Sequence, residues 1–133
     1  MNTRTTLLLL ALMCWLVQPL IASEALDVSM AKIIANPEDY QDKIVRVIGF
    51  VRIEFEGDAI YFHREDYEHR LTKNGFWIDV TTDISKKKAD FDKKYVLVEG
   101  TFSASDKGHM GLFSGSIHKI TRFQVWMPSD EKK

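Results

Sequence analysis

Apolar and polar residues alternate with period two through residues 43–55. One face carries Val45, Val47, Gly49, Val51, Ile53 and Phe55; the other mixes Ile44, Arg46, Ile48, Phe50, Arg52 and Glu54. This pattern predicts a long strand with its apolar set on a core, and Gly49 near the middle predicts a sharp bend or bulge. Bent there, one strand can serve both halves of a small closed barrel. Glu56-Gly57-Asp58 predicts a hairpin turn into a second strand over residues 59–64. A polar loop over 65–73 ends in the tight-turn pair Asn74-Gly75, which leads into a third strand over 76–81. Residues 94–103 alternate again, with Val96, Val98, Gly100 and Phe102 set against Leu97, Glu99 and Thr101. Residues 116–125 read as the last strand.

Two stretches carry helical signals. Ser29 is placed as an N-cap ahead of Met30, Ile33 and Ile34, an i, i+3, i+4 stripe. Asn36 and Pro37 stop that helix, and Pro37-Glu38-Asp39-Tyr40 opens a further turn with acids behind the proline. Residues 83–91 predict a second short helix with Asp83 as its cap. Helix, three strands, short helix, two strands is the element order of an OB-fold. The expected fold class is therefore mainly β: a five-stranded OB-like Greek-key barrel with a short N-terminal helix and a helix between strands 3 and 4. An open antiparallel sheet with helices on one face is the competing arrangement.

Residues 1–25 stand apart from this pattern. Arg4 precedes an apolar run over residues 7–21, broken only at Gln18 and Pro19, and the small residues Ala22, Ser23 and Ala25 follow. A cationic start, an apolar stretch and a small-x-small site describe a cleaved secretory signal. Cleavage is placed after Ala25, with Ala22 and Ser23 as alternative positions. The run is shorter than the roughly 20 residues that span a bilayer, so no stable membrane anchor is expected after cleavage. Met13 before Cys14, where a small residue is usual, disfavours lipidation. The expected organisation is a signal over 1–25 and a single OB-like domain over 26–133, exported to the periplasm or beyond the cell.

Composition adds constraints. A chain of 133 residues is one domain's worth. Lys plus Arg is 18 and Asp plus Glu is 19, a net charge of -1. That lacks the basic excess typical of nucleic-acid binders, and nucleic acid is disfavoured as a partner. Cys14 is the one cysteine, so no intramolecular disulfide is available. Small exported domains often lean on disulfides; this one is expected to rely on its apolar core.

The run Asn36-Pro37-Glu38-Asp39-Tyr40-Gln41-Asp42-Lys43-Ile44-Val45-Arg46-Val47-Ile48-Gly49-Phe50-Val51 resembles the opening of OB-fold-like exported domains, where an Asn-Pro-x-x-Tyr turn leads into a valine-rich strand with a central glycine. The segments Ile53-Glu54-Phe55-Glu56-Gly57-Asp58-Ala59-Ile60-Tyr61 and Gly108-His109-Met110-Gly111-Leu112-Phe113-Ser114-Gly115 are similar to those of an uncharacterised family of small exported bacterial proteins. The resemblance spans most of residues 30–126. It implies an OB-like fold and an export route; the family has no assigned activity, so no catalytic residue carries over.

Candidate chemistry follows from the expected faces. Ligands of OB-folds usually lie across strands 2 and 3, flanked by the loops joining strands 1–2 and 4–5. With Ile60, Phe62, Phe76, Ile78 and Val80 inward, Tyr61, His63, Trp77 and Asp79 face out, joined by Arg46, Phe50 and Arg52. Aromatic rings beside cations can stack on a sugar or a single-stranded nucleic acid. The plainer alternative is that Phe50 and Trp77 are packed and the arginines are solvated. Glu54, Glu56 and Asp58 oppose a polyanion nearby. The loop with His109, Met110, Leu112 and Phe113 suits either a contact surface or a cover over a barrel end. It lacks the Gly-x-x-x-x-Gly-Lys-Ser/Thr spacing of a phosphate loop. Ser114 and His109 sit in no nucleophile-elbow motif. His63-Arg64-Glu65-Asp66-Tyr67-Glu68-His69 holds two His but no recognised metal spacing, and Lys86-Lys87-Lys88 with Lys93-Lys94 reads as a solvated face.

The expected function is that of an exported, non-enzymatic binding module contacting a protein partner in the cell envelope, with no cofactor and no metal. Arg52, Tyr61, His63, Trp77, His109, Met110, Leu112 and Phe113 are the expected contact residues. A small-ligand, oligosaccharide or single-stranded nucleic-acid binder is the alternative, and a metal- or His-dependent hydrolase a weaker one.

Overall fold

A computed structural model describes residues 23–127; residues 1–22 of the expected signal lie outside the described residues. The elements run β1 (Leu26–Asp27), α1 (Met30–Ala35), β2 (Ile44–Arg52), β3 (Ala59–Tyr61), α2 (Arg64–Glu68), β4 (Gly75–Ile78), α3 (Thr82–Lys86), α4 (Lys88–Phe91), β5 (Lys94–Ser103) and β6 (Ser116–Val125). Single 3-10 turns lie at Pro37–Tyr40, Thr72–Asn74 and His109–Gly111.

β2 decides the architecture, because it pairs on both edges. Along Ile44–Val51 it is antiparallel to β5, and from Phe50 to Arg52 it is also antiparallel to β3. β3 continues to β4, β4 runs parallel to β6, and β6 returns antiparallel to β5. The strand order β2-β3-β4-β6-β5 thus closes back on β2. This is the five-stranded OB-like barrel, and the closure excludes the open-sheet alternative. The sequence pattern does not announce β1, which lies parallel against β2 through Leu26 and Val45.

Gly49 sits where β2 turns from one partner to the other. A Cβ there would fall 2.5 Å from the Tyr61 carbonyl oxygen and 2.8 Å from Met30 Sδ, so only glycine lets β3 and α1 approach. α1 forms as expected: the Ser29 hydroxyl accepts the Lys32 N–H at 3.3 Å. Its Met30 and Ile33 are buried with Val45, Val47, Val51, Ile60, Phe76, Ile78, Val96, Val98, Phe102 and Ile117 in one core. Phe76 and Phe102 meet edge to face at 5.1 Å inside it.

Three local expectations are corrected. β2 ends at Arg52, not Phe55, because side chains then take over the backbone donors. Asp92 Oδ1 accepts the Ile53 N–H and Asp58 Oδ1 accepts the Glu54 N–H, both at 2.9 Å. Phe55, assigned to the core by alternation, is 92% exposed in the turn that follows. β3 stops at Tyr61, and the expected polar loop begins as helix α2. The Asp66 carboxylate accepts the His63 N–H at 2.8 Å and the Asn74 side-chain amide at 2.8 Å, closing the start of α2 and tying it to the 3-10 turn that precedes β4. The helix expected over 83–91 is two short pieces broken at Lys87, capped by the Thr81 hydroxyl rather than by Asp83.

Candidate functional site

The outer face of β3 and β4 carries Ala59, Tyr61 and Trp77, as alternation demands once Ile60, Phe76 and Ile78 point inward. In an OB-fold this is the ligand face. Here the chain's own β5–β6 connection roofs it. Asp106 fixes the start of the roof by accepting the Gly108 N–H at 3.0 Å and the Ser116 hydroxyl at 2.9 Å. Its far end is held by the Trp77 N–H on the Gly115 carbonyl at 3.0 Å and the Ser114 N–H on the Gly75 carbonyl at 3.1 Å. The Ser114 hydroxyl donates to the Lys73 carbonyl at 2.6 Å, so its proton is committed there and not to His109. The roof drops the Phe113 ring between Tyr61 (6.1 Å) and Trp77 (5.9 Å), where a ligand ring would stack.

Phe113 is one rung of a longer ladder of rings. Beyond Tyr61 the ladder continues to Tyr67 at 5.6 Å, from Tyr67 to Phe50 at 6.2 Å, and from Phe50 to Tyr95 at 5.8 Å. Two guanidinium groups lie over it, Arg52 at 4.1 Å from the Tyr67 ring and Arg64 at 5.4 Å from Phe50. Alternation pointed to Phe50, Tyr61 and Trp77. Tyr67 hides in a stretch of charged residues and Tyr95 precedes an ordinary strand pattern, so neither carried a signal.

Arg52 is corrected from ligand contact to structural strut. It is 7% exposed, and its Nε donates to Asp92 Oδ1 at 3.0 Å while Nη2 reaches Glu54 at 3.2 Å. Burial alone would raise the Asp92 carboxyl, but the Ile53 N–H and the Arg52 guanidinium overcome it and hold that carboxyl below its ordinary range. Tyr61, expected on an open face, and Phe113, expected as a contact or a cover, are buried at 6% and 4%; burial pushes the Tyr61 hydroxyl pKa up. Trp77 is half-buried, stacked at 27° to His109. His63 stands at the start of α2 against Phe62, outside the ladder. Among the described residues no group of three His, Cys, Asp or Glu side chains is placed to hold a metal ion.

The roof leaves apolar groups in solvent. Met110 is 80% exposed and Leu112 44% exposed, with Leu71 and Phe55 also exposed. They come from three loops that touch one another. His109 Nε2 lies 4.0 Å from Glu56, beside Phe55, and Lys73 Nζ donates to the Gly111 carbonyl at 3.4 Å. Leu112 and Thr72 share one wall of a groove of about 610 Å³ with Tyr61, Tyr67 and Arg70. Met110 and Leu112 are thus exposed on the roof, with Leu71 on the loop that Lys73 ties to it; Phe55 lines a separate groove with Ser85 and Lys88.

No protein-family profile and no curated protein matches this chain. Among solved structures it is similar to a Leishmania major Friedlin chain described as an aspartyl-tRNA synthetase, with a TM-score of 0.45 and 11% identity. That match covers 93% of this chain and 26% of the other, so the protein spans about a quarter of its neighbour's length.

Proposed function

We propose that this protein is an exported, non-enzymatic binding module of the cell envelope that docks a protein partner through the rim of its barrel. One observation carries the reading: Met110 and Leu112 stand exposed on the roof of a face whose own stacking rings are already covered, with Leu71 exposed on the loop that the roof contacts. Exposed apolar groups gathered on one side of a small domain mark contact surfaces. The apolar run over residues 7–21 supports export. Filling of the space between Tyr61 and Trp77 by Phe113 weighs against a ligand stacked on those rings. Glu54, Glu56 and Asp58 beside them weigh against a polyanion.

The roof also selects the right test. Replacing Phe113 would collapse the roof, whereas Met110 and Leu112 reach solvent, and exposed substitutions usually shift stability by less than about 0.5 kcal/mol. In affinity capture from the envelope of the producing cell, a Met110→Asp, Leu112→Asp variant is expected to retain its melting temperature and to lose at least tenfold of the captured partner. Equal recovery with the variant and the unmodified protein would contradict the reading.

A further inference from the structure

On the far side of Tyr67 from the roof lies a second groove of about 520 Å³, lined by Phe50, Arg52, Arg64, Tyr67, Glu68 and Lys93. Its volume is that of a small-molecule site. The floor is the Phe50 ring, 3% exposed, with Tyr67 as a wall. The three cations are not equivalent. Arg52 is engaged with Asp92 and Glu54. Arg64 and Lys93 are exposed, and among the described residues neither has a carboxylate within salt-bridge distance. The Arg64 guanidinium lies 5.4 Å over the Phe50 ring, and the backbone N–H of Arg64 donates to the Tyr95 hydroxyl at 3.3 Å. A guanidinium above an apolar ring, without a carboxylate partner among the described residues and with a lysine on the same groove, suits a carboxylate carried on a flat body. Glu68 on the groove wall sets an upper limit on charge, because a second negative group would meet it.

We infer that this groove binds a ring-bearing monocarboxylate, its carboxylate on Arg64 and Lys93 and its ring along the exposed part of Tyr67. The inference is independent of docking at the rim, which uses other loops. An aromatic acid and an acidic sugar share this chemistry, so the test carries both. In an NMR titration of the 15N-labelled protein recovered from producing cells, benzoate or glucuronate is expected to shift the amides around Phe50, Arg64, Tyr67 and Lys93 in a saturable way. Saturation with benzoate assigns an aromatic acid and with glucuronate a sugar acid. Neutral benzamide and inorganic phosphate are expected to bind at least tenfold more weakly. Arg64→Gln and Lys93→Asn, the latter suited to the left-handed backbone at that position (φ 63°), should each weaken binding at least tenfold with the remaining amide spectrum unchanged. Arg70→Gln, in the neighbouring groove, should leave it unaltered. The inference is overturned if neither acid gives a saturable shift, if benzamide binds as well as benzoate, or if removing both cations has no effect.

Discussion

Replacing Asp92 by alanine is expected to destabilise the protein by about 3 kcal/mol, the scale for breaking a largely buried charge pair. For a domain of this size that corresponds to a fall in melting temperature of roughly 15 °C. Asp92 is a hub: one oxygen accepts the Arg52 Nε–H and the Ile53 N–H, so its loss leaves a guanidinium at 7% exposure with only Glu54, and a strand-end donor with no acceptor. The pH dependence has a definite sign. The Asp92 carboxyl is held below its ordinary range in the folded state, so its contribution is complete above the ordinary carboxylate pKa and is lost as the pH falls through the lower folded value. Glu99 adds in the same direction: burial would raise it, but Arg46 and the Thr121 hydroxyl hold it down. Thermal melts across the acid range should show Asp92→Asn with a shallower loss of stability on acidification than the unmodified protein. An unchanged melting temperature in Asp92→Ala would contradict the strut.

Gly108→Val is expected to cost about 3 kcal/mol and to lift the roof, combining backbone strain with a clash. Gly108 has φ 64° and ψ −158°, a conformation open to glycine and costly for valine. A Cβ there would lie 2.5 Å from Trp77 Cβ, so the loop cannot stay seated. Trp77 and Tyr61 should then become accessible, seen as a red-shifted tryptophan emission and easier quenching by acrylamide. Gly111→Ala is the internal control. It too has positive φ (66°), but nothing lies within 4 Å of an added Cβ. Its expected cost is therefore the strain alone, about 1 kcal/mol, with Trp77 still covered. Equal effects at the two glycines would mean that contact with Trp77 does not seat the roof.

These two positions also mark what could be read from the chain. Period-two alternation sorted inside from outside well: Val96, Val98 and Phe102 are fully buried, and the bounds expected for the last two strands hold. The Ser29 cap follows from an equally local signal, and the closed barrel from the order of the elements. Alternation says nothing, however, of whether an outward residue is then covered by a distant part of the chain. Tyr61 is covered by Phe113, Arg52 is held by Asp92, and Phe50 packs on Tyr67 and Tyr95. Each of those partners is remote in sequence and was assigned to a loop, a charged helix or an ordinary strand. Phe55 failed for the opposite reason: its strand stops when Asp92 and Asp58 capture the backbone donors, and alternation has no meaning beyond that point. The glycine-rich run with Met110, Leu112 and Phe113 did carry a signal, and of its two expected roles the cover is the one the structure displays. Phe113 covers the barrel face while Met110 and Leu112 stay in solvent.

Docking at the rim is tested most directly by site-specific photo-crosslinking in the producing cell. A photoreactive side chain is placed at Met110, with Arg122, exposed on β6 away from the rim, as the reference position. The account predicts a discrete protein adduct from position 110 and none from 122. No protein adduct from 110, or the same adducts from both positions, would contradict it.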